Sequence, residues 1–247
     1  MAGHSKWKNI QFRKGAQDKK RGKMFTKVIK EITVAVKKSG PDPDSNPGLR
    51  LCLQNAKSAN MPKDTIERAI KKASGVDSAN YTEVSFEGYG PCGVAIFVEC
   101  ATDNNTRTVS NVRSYFNKYG GSLGKDGCLE FVFSRKGIYT LSSVGIDEEE
   151  FSLEMIDAGA EDVEFEDEMV TVSCDMEEFG NIQKKLTELR LEPLEAGLQR
   201  IPNDTKDIDV NDFQKVMRLV DIIEDDDDVQ KVYHNIEFTD ELAQAME

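Results

Sequence analysis

The chain has 247 residues with 38% hydrophobic and 31% charged side chains, a soluble globular composition rather than that of a disordered chain. It contains no run of about 18 apolar residues, which excludes a hydrophobic membrane-spanning helix. No apolar segment follows its basic start, which argues against a secretory signal. The formal net charge of −13 hides a division along the chain. Residues 1–72 hold 18 Lys and Arg against 6 Asp and Glu, a balance of +12, and the remainder carries −25. A basic nucleic-acid-binding segment joined to an acidic body is the direct reading.

The basic density peaks over residues 1–23, where Lys6, Lys8, Arg13, Lys14, Lys19, Lys20, Arg21 and Lys23 stand against Asp18 alone. Trp7 and Phe12 lie among them and can stack on bases or pack on sugars. This arm has too few apolar residues to fold by itself. Phe25, Val28, Ile29, Ile32 and Val36 then recur at helical spacing and predict a helix over 24–38, with Lys27, Lys30, Lys37 and Lys38 off its apolar stripe. Asn46-Pro47 starts a second helix with core residues Leu49, Leu53 and Ala56. Pro62 opens a third, lined by Ile66, Ala69, Ile70 and Ala73. These helices read as a small bundle. A helix-turn-helix would offer Lys63, Glu67, Lys71 and Lys72 to a major groove, but Glu67 would repel phosphate.

Beyond Gly75 the period becomes two. Thr82 to Glu87 and Gly93 to Cys100 are predicted strands around Gly88-Tyr89-Gly90-Pro91, followed by a helix over 104–119 and a strand from Cys128 to Phe133. Residues 137–201 then carry a full β-α-β-β-α-β series, the ferredoxin-like split pattern. A last helix through Phe213, Val216, Met217, Val220 and Ile223, and a strand through Val232, His234, Ile236 and Phe238, supply what the middle sheet lacks. The expected fold is α+β in three domains. Residues 1–76 give the basic arm and small helical bundle. Residues 77–135 with 206–247 give the middle domain, and residues 136–205 a domain inserted within it. Both of the latter are expected as ferredoxin-like α/β sandwiches.

Nothing in the pattern calls for catalysis. Gly120-Gly121-Ser122-Leu123-Gly124-Lys125 lacks the spacing and the Ser/Thr of a phosphate loop and reads as a tight turn into the next strand. The run Glu224 to Asp228 reads as a solvated connection rather than a cation loop. Two histidines and no C-x-x-C pair leave no zinc site, and no Ser/His/Asp set can be assembled. His234 reads as a core or cross-strand residue, and the five scattered cysteines mostly as small buried hydrophobes of a cytosolic protein. No cofactor or metal is expected.

Several stretches are highly specific: Met1-Ala2-Gly3-His4-Ser5-Lys6-Trp7-Lys8-Asn9-Ile10, Lys20-Arg21-Gly22-Lys23, Asn60-Met61-Pro62-Lys63-Asp64, Glu87-Gly88-Tyr89-Gly90-Pro91-Cys92-Gly93-Val94 and Gly120-Gly121-Ser122-Leu123-Gly124. In these the chain closely resembles the YebC/PmpR family, which includes the mitochondrial translational activator of cytochrome c oxidase subunit I. It departs from the family's pattern at Thr102 to Thr108, which has one cation fewer, and at Cys128-Leu129. The resemblance implies three domains and a role in gene expression. Some members are described as DNA-binding transcriptional regulators, others as ribosome-associated factors that ease difficult stretches of translation. The expected function is therefore a non-enzymatic, cytoplasmic, monomeric DNA-binding transcriptional regulator, with a ribosome- or rRNA-associated translation factor as the alternative. Its expected contacts to nucleic acid are Lys6, Trp7, Lys8, Arg13, Lys14, Lys19, Lys20, Arg21, Lys23, Lys27 and Lys30. The acidic body could meet basic ribosomal proteins.

Overall fold

The computed structural model describes residues 21–75, 80–166, 168–239 and 241–242. The chain divides into two compact units. One holds the described residues through Pro41, Arg68–Ser134 and those from Ile201 onward; the other holds Asp42–Glu67 and Arg135–Arg200. The N-terminal helices fall in both: α1 (Arg21–Ser39) in the first unit and α2 (Pro47–Ser58) in the second, with α3 (Lys63–Ala73) after them.

The first unit is built on an antiparallel sheet of β1 (Thr82–Tyr89), β2 (Ala95–Thr102), β3 (Ser122–Leu123) and β8 (Val229–His234), in the order β3-β1-β2-β8. The final strand therefore completes the middle sheet, pairing Val232 with Val98 and His234 with Ile96. β2 is covered on both faces. Ile96, Val98 and Cys100 join the core beneath α4 (Asn105–Lys118) and α7 (Val210–Glu224), while Ala95 and Phe97 meet Leu129, Phe133 and Tyr233 on the other face. This double burial explains why β2 reads as an almost unbroken apolar run.

The expected strand from Cys128 to Phe133 does not form over its first residues. The ladder beside β1 is taken by Ser122 and Leu123, inside the glycine loop expected to be only a turn. Two glycines permit this approach: a Cβ on Gly88 would stand 2.6 Å from the Ser122 carbonyl oxygen, and one on Gly121 2.6 Å from that of Tyr89. The following residues are diverted by the buried Glu87, whose carboxylate accepts hydrogen bonds from the Gly127 and Leu129 amides at 3.0 and 2.6 Å. Leu129 is buried as a result, and Phe131 is left in solvent.

The inserted unit carries β4 (Phe133–Ser142), α5 (Glu148–Asp157), β5 (Ala160–Glu166), β6 (Met169–Asp175), α6 (Phe179–Glu188) and β7 (Glu195–Pro202). Its sheet order, β5-β6-β4-β7, is the ferredoxin-like arrangement. The middle sheet, β3-β1-β2-β8, instead has its β1–β2 hairpin at the centre. Tyr139, Leu141, Phe151, Met155, Val170, Val172, Ile182 and Leu186 form the inserted unit's core, with the Tyr139 and Phe179 rings stacked at 4.6 Å. α2 belongs to this unit because Leu51 packs on that core. Its Asn55 side chain also meets β7, donating to the Ala196 carbonyl at 2.9 Å and accepting from the Ala196 amide at 3.3 Å.

Candidate nucleic-acid interface

Of the residues expected to meet nucleic acid, Lys6, Trp7, Lys8, Arg13, Lys14, Lys19 and Lys20 lie outside the described residues, as does the side chain of Arg21. Lys23, Lys27 and Lys30 are described, and they share one face of α1 at i, i+4 and i+7. That face rests on the segment before and at the start of β8. Lys23 bridges the Asp225 carboxylate at 2.9 Å, and Lys27 donates to the Gln230 carbonyl at 3.4 Å. Lys30 is buried. Its ammonium reaches the Asp227 carbonyl at 2.6 Å, the Ala101 carbonyl at 3.3 Å and the Asp228 carboxylate at 3.0 Å, and it lies 5.0 Å from the centre of the Tyr81 ring. All three donors of the ammonium are therefore engaged within the unit, and no face of Lys30 is turned to a phosphate.

Asp228 is the centre of this arrangement, so the acidic run is not the solvated connection its sequence suggests. The carboxylate is buried and accepts from Arg107 through Nε at 3.2 Å and Nη2 at 2.6 Å, and from the Thr108 hydroxyl at 2.9 Å. Burial alone would raise its pKa, but the hydrogen bonds from Arg107, Lys30 and Thr108 outweigh that and hold it at about 2. Asp226 beside it accepts from Asn111 at 3.1 Å, from the Tyr115 hydroxyl at 2.9 Å and from the Asp228 amide at 2.9 Å. Burial, then the bond to Asp226, pushes the Tyr115 phenol up to about 12. Thus Arg107, near the start of α4 after the Asn104 cap, is held by Asp228 and, at 2.9 Å, by Asp103.

The spacing of Lys23, Lys27 and Lys30 was the available signal. Three cations at i, i+4 and i+7 make one basic face, and the acidic run from Glu224 to Asp228 is a segment of matching charge that can meet it. On α3, Lys63, Glu67, Lys71 and Lys72 are all exposed, and Lys63 lies 3.8 Å from Glu67. His234 is buried in β8, with its ring 6.3 Å from that of Phe238. Cys100 and Cys174 are buried as expected, but Cys92 and Cys128 are exposed and Cys52 is intermediate. Among the described residues no group of His, Cys, Asp and Glu could hold a metal ion, and no helix is long and apolar enough to cross a membrane.

This α+β architecture recurs in a solved structure. The crystal structure of the conserved hypothetical protein Aq1575 from Aquifex aeolicus matches with a TM-score of 0.80 and 41% identity, over 90% of this chain and 93% of that one. The TACO1/YebC N-terminal domain matches residues 5–76, and the TACO1/YebC second and third domain matches residues 81–236. The chain belongs to the TACO1/YebC family. Similar full-length relatives are a "probable transcriptional regulatory protein" of Amoebophilus asiaticus, 52% identical over 96% of this chain and 98% of its own length, and the "probable transcriptional regulatory protein YrbC" of Bacillus subtilis, 49% identical over 95% and 99%.

Proposed function

We propose that this protein is a cytoplasmic regulator of gene expression that acts by binding, without turnover, and grips a nucleic-acid backbone with its basic N-terminal arm. The observation that carries this reading is where the positive charge is already matched. Lys23, Lys27 and Lys30 are engaged by the 225–230 segment, and the sequence before them carries Lys6, Lys8, Arg13, Lys14, Lys19, Lys20 and Arg21 against Asp18 alone. The names of the relatives support a transcriptional regulator, and duplex DNA is the target that this reading takes. Phosphate contacts from such an arm position the protein without specifying sequence.

A second reading, a ribosome-associated translation factor with its arm among rRNA, is favoured by the −25 charge of the remaining chain. Long duplex DNA would repel that body, whereas basic ribosomal proteins would attract it. The α3 surface, with Glu67 among its lysines, also suits groove reading poorly. Binding to naked duplex DNA and ribosome co-sedimentation, each at graded salt, separate the two. Each neutralised phosphate contributes about −0.7 to −0.9 to the slope of log affinity against log salt, so roughly five arm contacts give about −3.5 to −4.5. Deleting residues 2–20 should remove most of that slope on the true target. Unchanged affinity and slope after the deletion would place the binding surface elsewhere.

A further inference from the structure

In the inserted unit, α5 carries an exposed aliphatic pair on its outer side. α5 buries Phe151 and Met155 in its core, yet on the opposite side Leu153 is 64% and Ile156 56% exposed. Spaced three apart, these side chains are neighbours on the helix surface. Exposed Glu149, Glu150 and Asp157 flank them. Beside this face runs a groove of about 460 Å³ whose lining includes Ile156, Asp157, Gly159, Glu178, Lys185 and Glu188. The groove also holds Lys184 and Lys185, which pair with Glu188 at 4.0 Å and with Glu154. Across the whole segment from Arg135 to Arg200 the chain has 6 Lys and Arg against 18 Asp and Glu.

An aliphatic pair set among carboxylates repels both phosphate backbones and anionic lipid, and favours a positively charged protein surface with apolar side chains of its own. We propose that the outer face of α5 docks a basic amphipathic segment of a partner protein. Aliphatic or aromatic side chains of that segment cover Leu153 and Ile156, and its lysines or arginines meet Glu149, Glu150 and Asp157. The apolar pair supplies the anchor and the carboxylate rim supplies orientation and rate of encounter. The proposal assigns this contact to α5 and leaves nucleic acid to the residues of the arm.

The test uses the full-length chain and a fluorescent amphipathic helical peptide of lysine and leucine, beside a peptide of equal charge with serine in place of leucine. Anisotropy at about 0.15 M salt, where surface charges are screened beyond about 8 Å, should show the leucine peptide binding about tenfold or more tightly. Leu153→Ser with Ile156→Ser should abolish that advantage, and Glu149→Gln with Glu150→Gln should weaken both peptides. Neither variant should alter binding to duplex DNA or rRNA, which tests the arm separately. Equal affinity for the two peptides, or full binding by the serine variant, would overturn the proposal. So would self-association of the unaltered chain that the serine variant abolishes, because the face would then belong to a second copy.

Discussion

Lys30 Nζ and Asp228 Oδ1 lie 3.0 Å apart with their side chains only 8% and 5% exposed, although 198 residues separate them in the chain. The pair fastens α1 to the entry of β8 and sits between Arg107 and the Asp227 carbonyl. Removing either partner leaves a different remainder. Asp228→Ala strands a buried ammonium with only carbonyl partners and should cost about 3–5 kcal/mol. Lys30→Met keeps the volume while Arg107 and Thr108 still hold the carboxylate, so the cost should be smaller, about 1–2 kcal/mol. Urea unfolding of the two variants decides the order. Equal costs would show that Arg107 does not hold Asp228 once Lys30 is gone.

The same carboxylate gives stability a defined acid dependence. Its pKa in the folded protein is about 2, below the ordinary carboxylate value, so its contribution is complete above about pH 4 and is lost as the pH falls toward 2. Discounted for solvent screening, this amounts to about 1–2 kcal/mol. Other carboxylates titrate in the same range, so the informative quantity is a difference. The stability gap between the unaltered protein and Asp228→Asn should narrow as urea midpoints are followed from about pH 5 to about pH 2. A constant gap would mean that Asp228 carries no depressed pKa.

Salt dependence should distinguish the arm from its root. Substituting Lys19, Lys20 and Arg21 by alanine should flatten the slope by about two to three contacts' worth. Lys30→Met should leave it unchanged, because the ammonium faces Asp228 and two backbone carbonyls. Trp7→Ala should weaken binding with little change in slope, since stacking releases few ions. A slope lowered by Lys30→Met at equal folded fraction would put Lys30 on the nucleic acid.

Gly121 provides a test of the short strand β3. A methyl group there would fall 2.6 Å from the Tyr89 carbonyl oxygen, which is backbone and cannot swing aside. Gly121→Ala should cost about 1–3 kcal/mol. Amide exchange should accelerate at Gly124, whose N–H bonds the Glu87 carbonyl at 2.7 Å. Unaltered exchange at Gly124 would show that the ladder does not depend on this approach.

The insertion was legible because the two parts of the middle sheet are each incomplete: the hairpin and helix lacked a helix and a strand that appear only after residue 205. Helices were legible wherever one face is apolar, as with Val28, Ile32 and Val36, all buried on α1. The sequence misled where a distant polar group decided the matter. The alternating run from Cys128 to Phe133 is captured by Glu87, 40 and 42 residues from the amides it accepts. The acidic run before β8 looks solvated until Lys30 and Arg107 arrive from 198 and 121 residues away. Local periodicity records neither contact. Charge and helical face alone group Lys30 with the arm, whereas its partners Asp227 and Asp228 lie on a segment that local spacing does not reach.

The contact between Asn55 and Ala196 bears on how the protein behaves in a crowded solution. β7 ends its sheet, and a terminal strand offers its amides and carbonyls to any passing extended chain. With one side-chain amide, Asn55 occupies both the N–H and the C=O of Ala196, as a neighbouring strand would. A helix thereby substitutes for a fifth strand at a single residue, and growth of the sheet by a second molecule is blocked where β7 begins. While the chain is being synthesised, α2 emerges well before β7, so the blocking group is already present when that edge first forms.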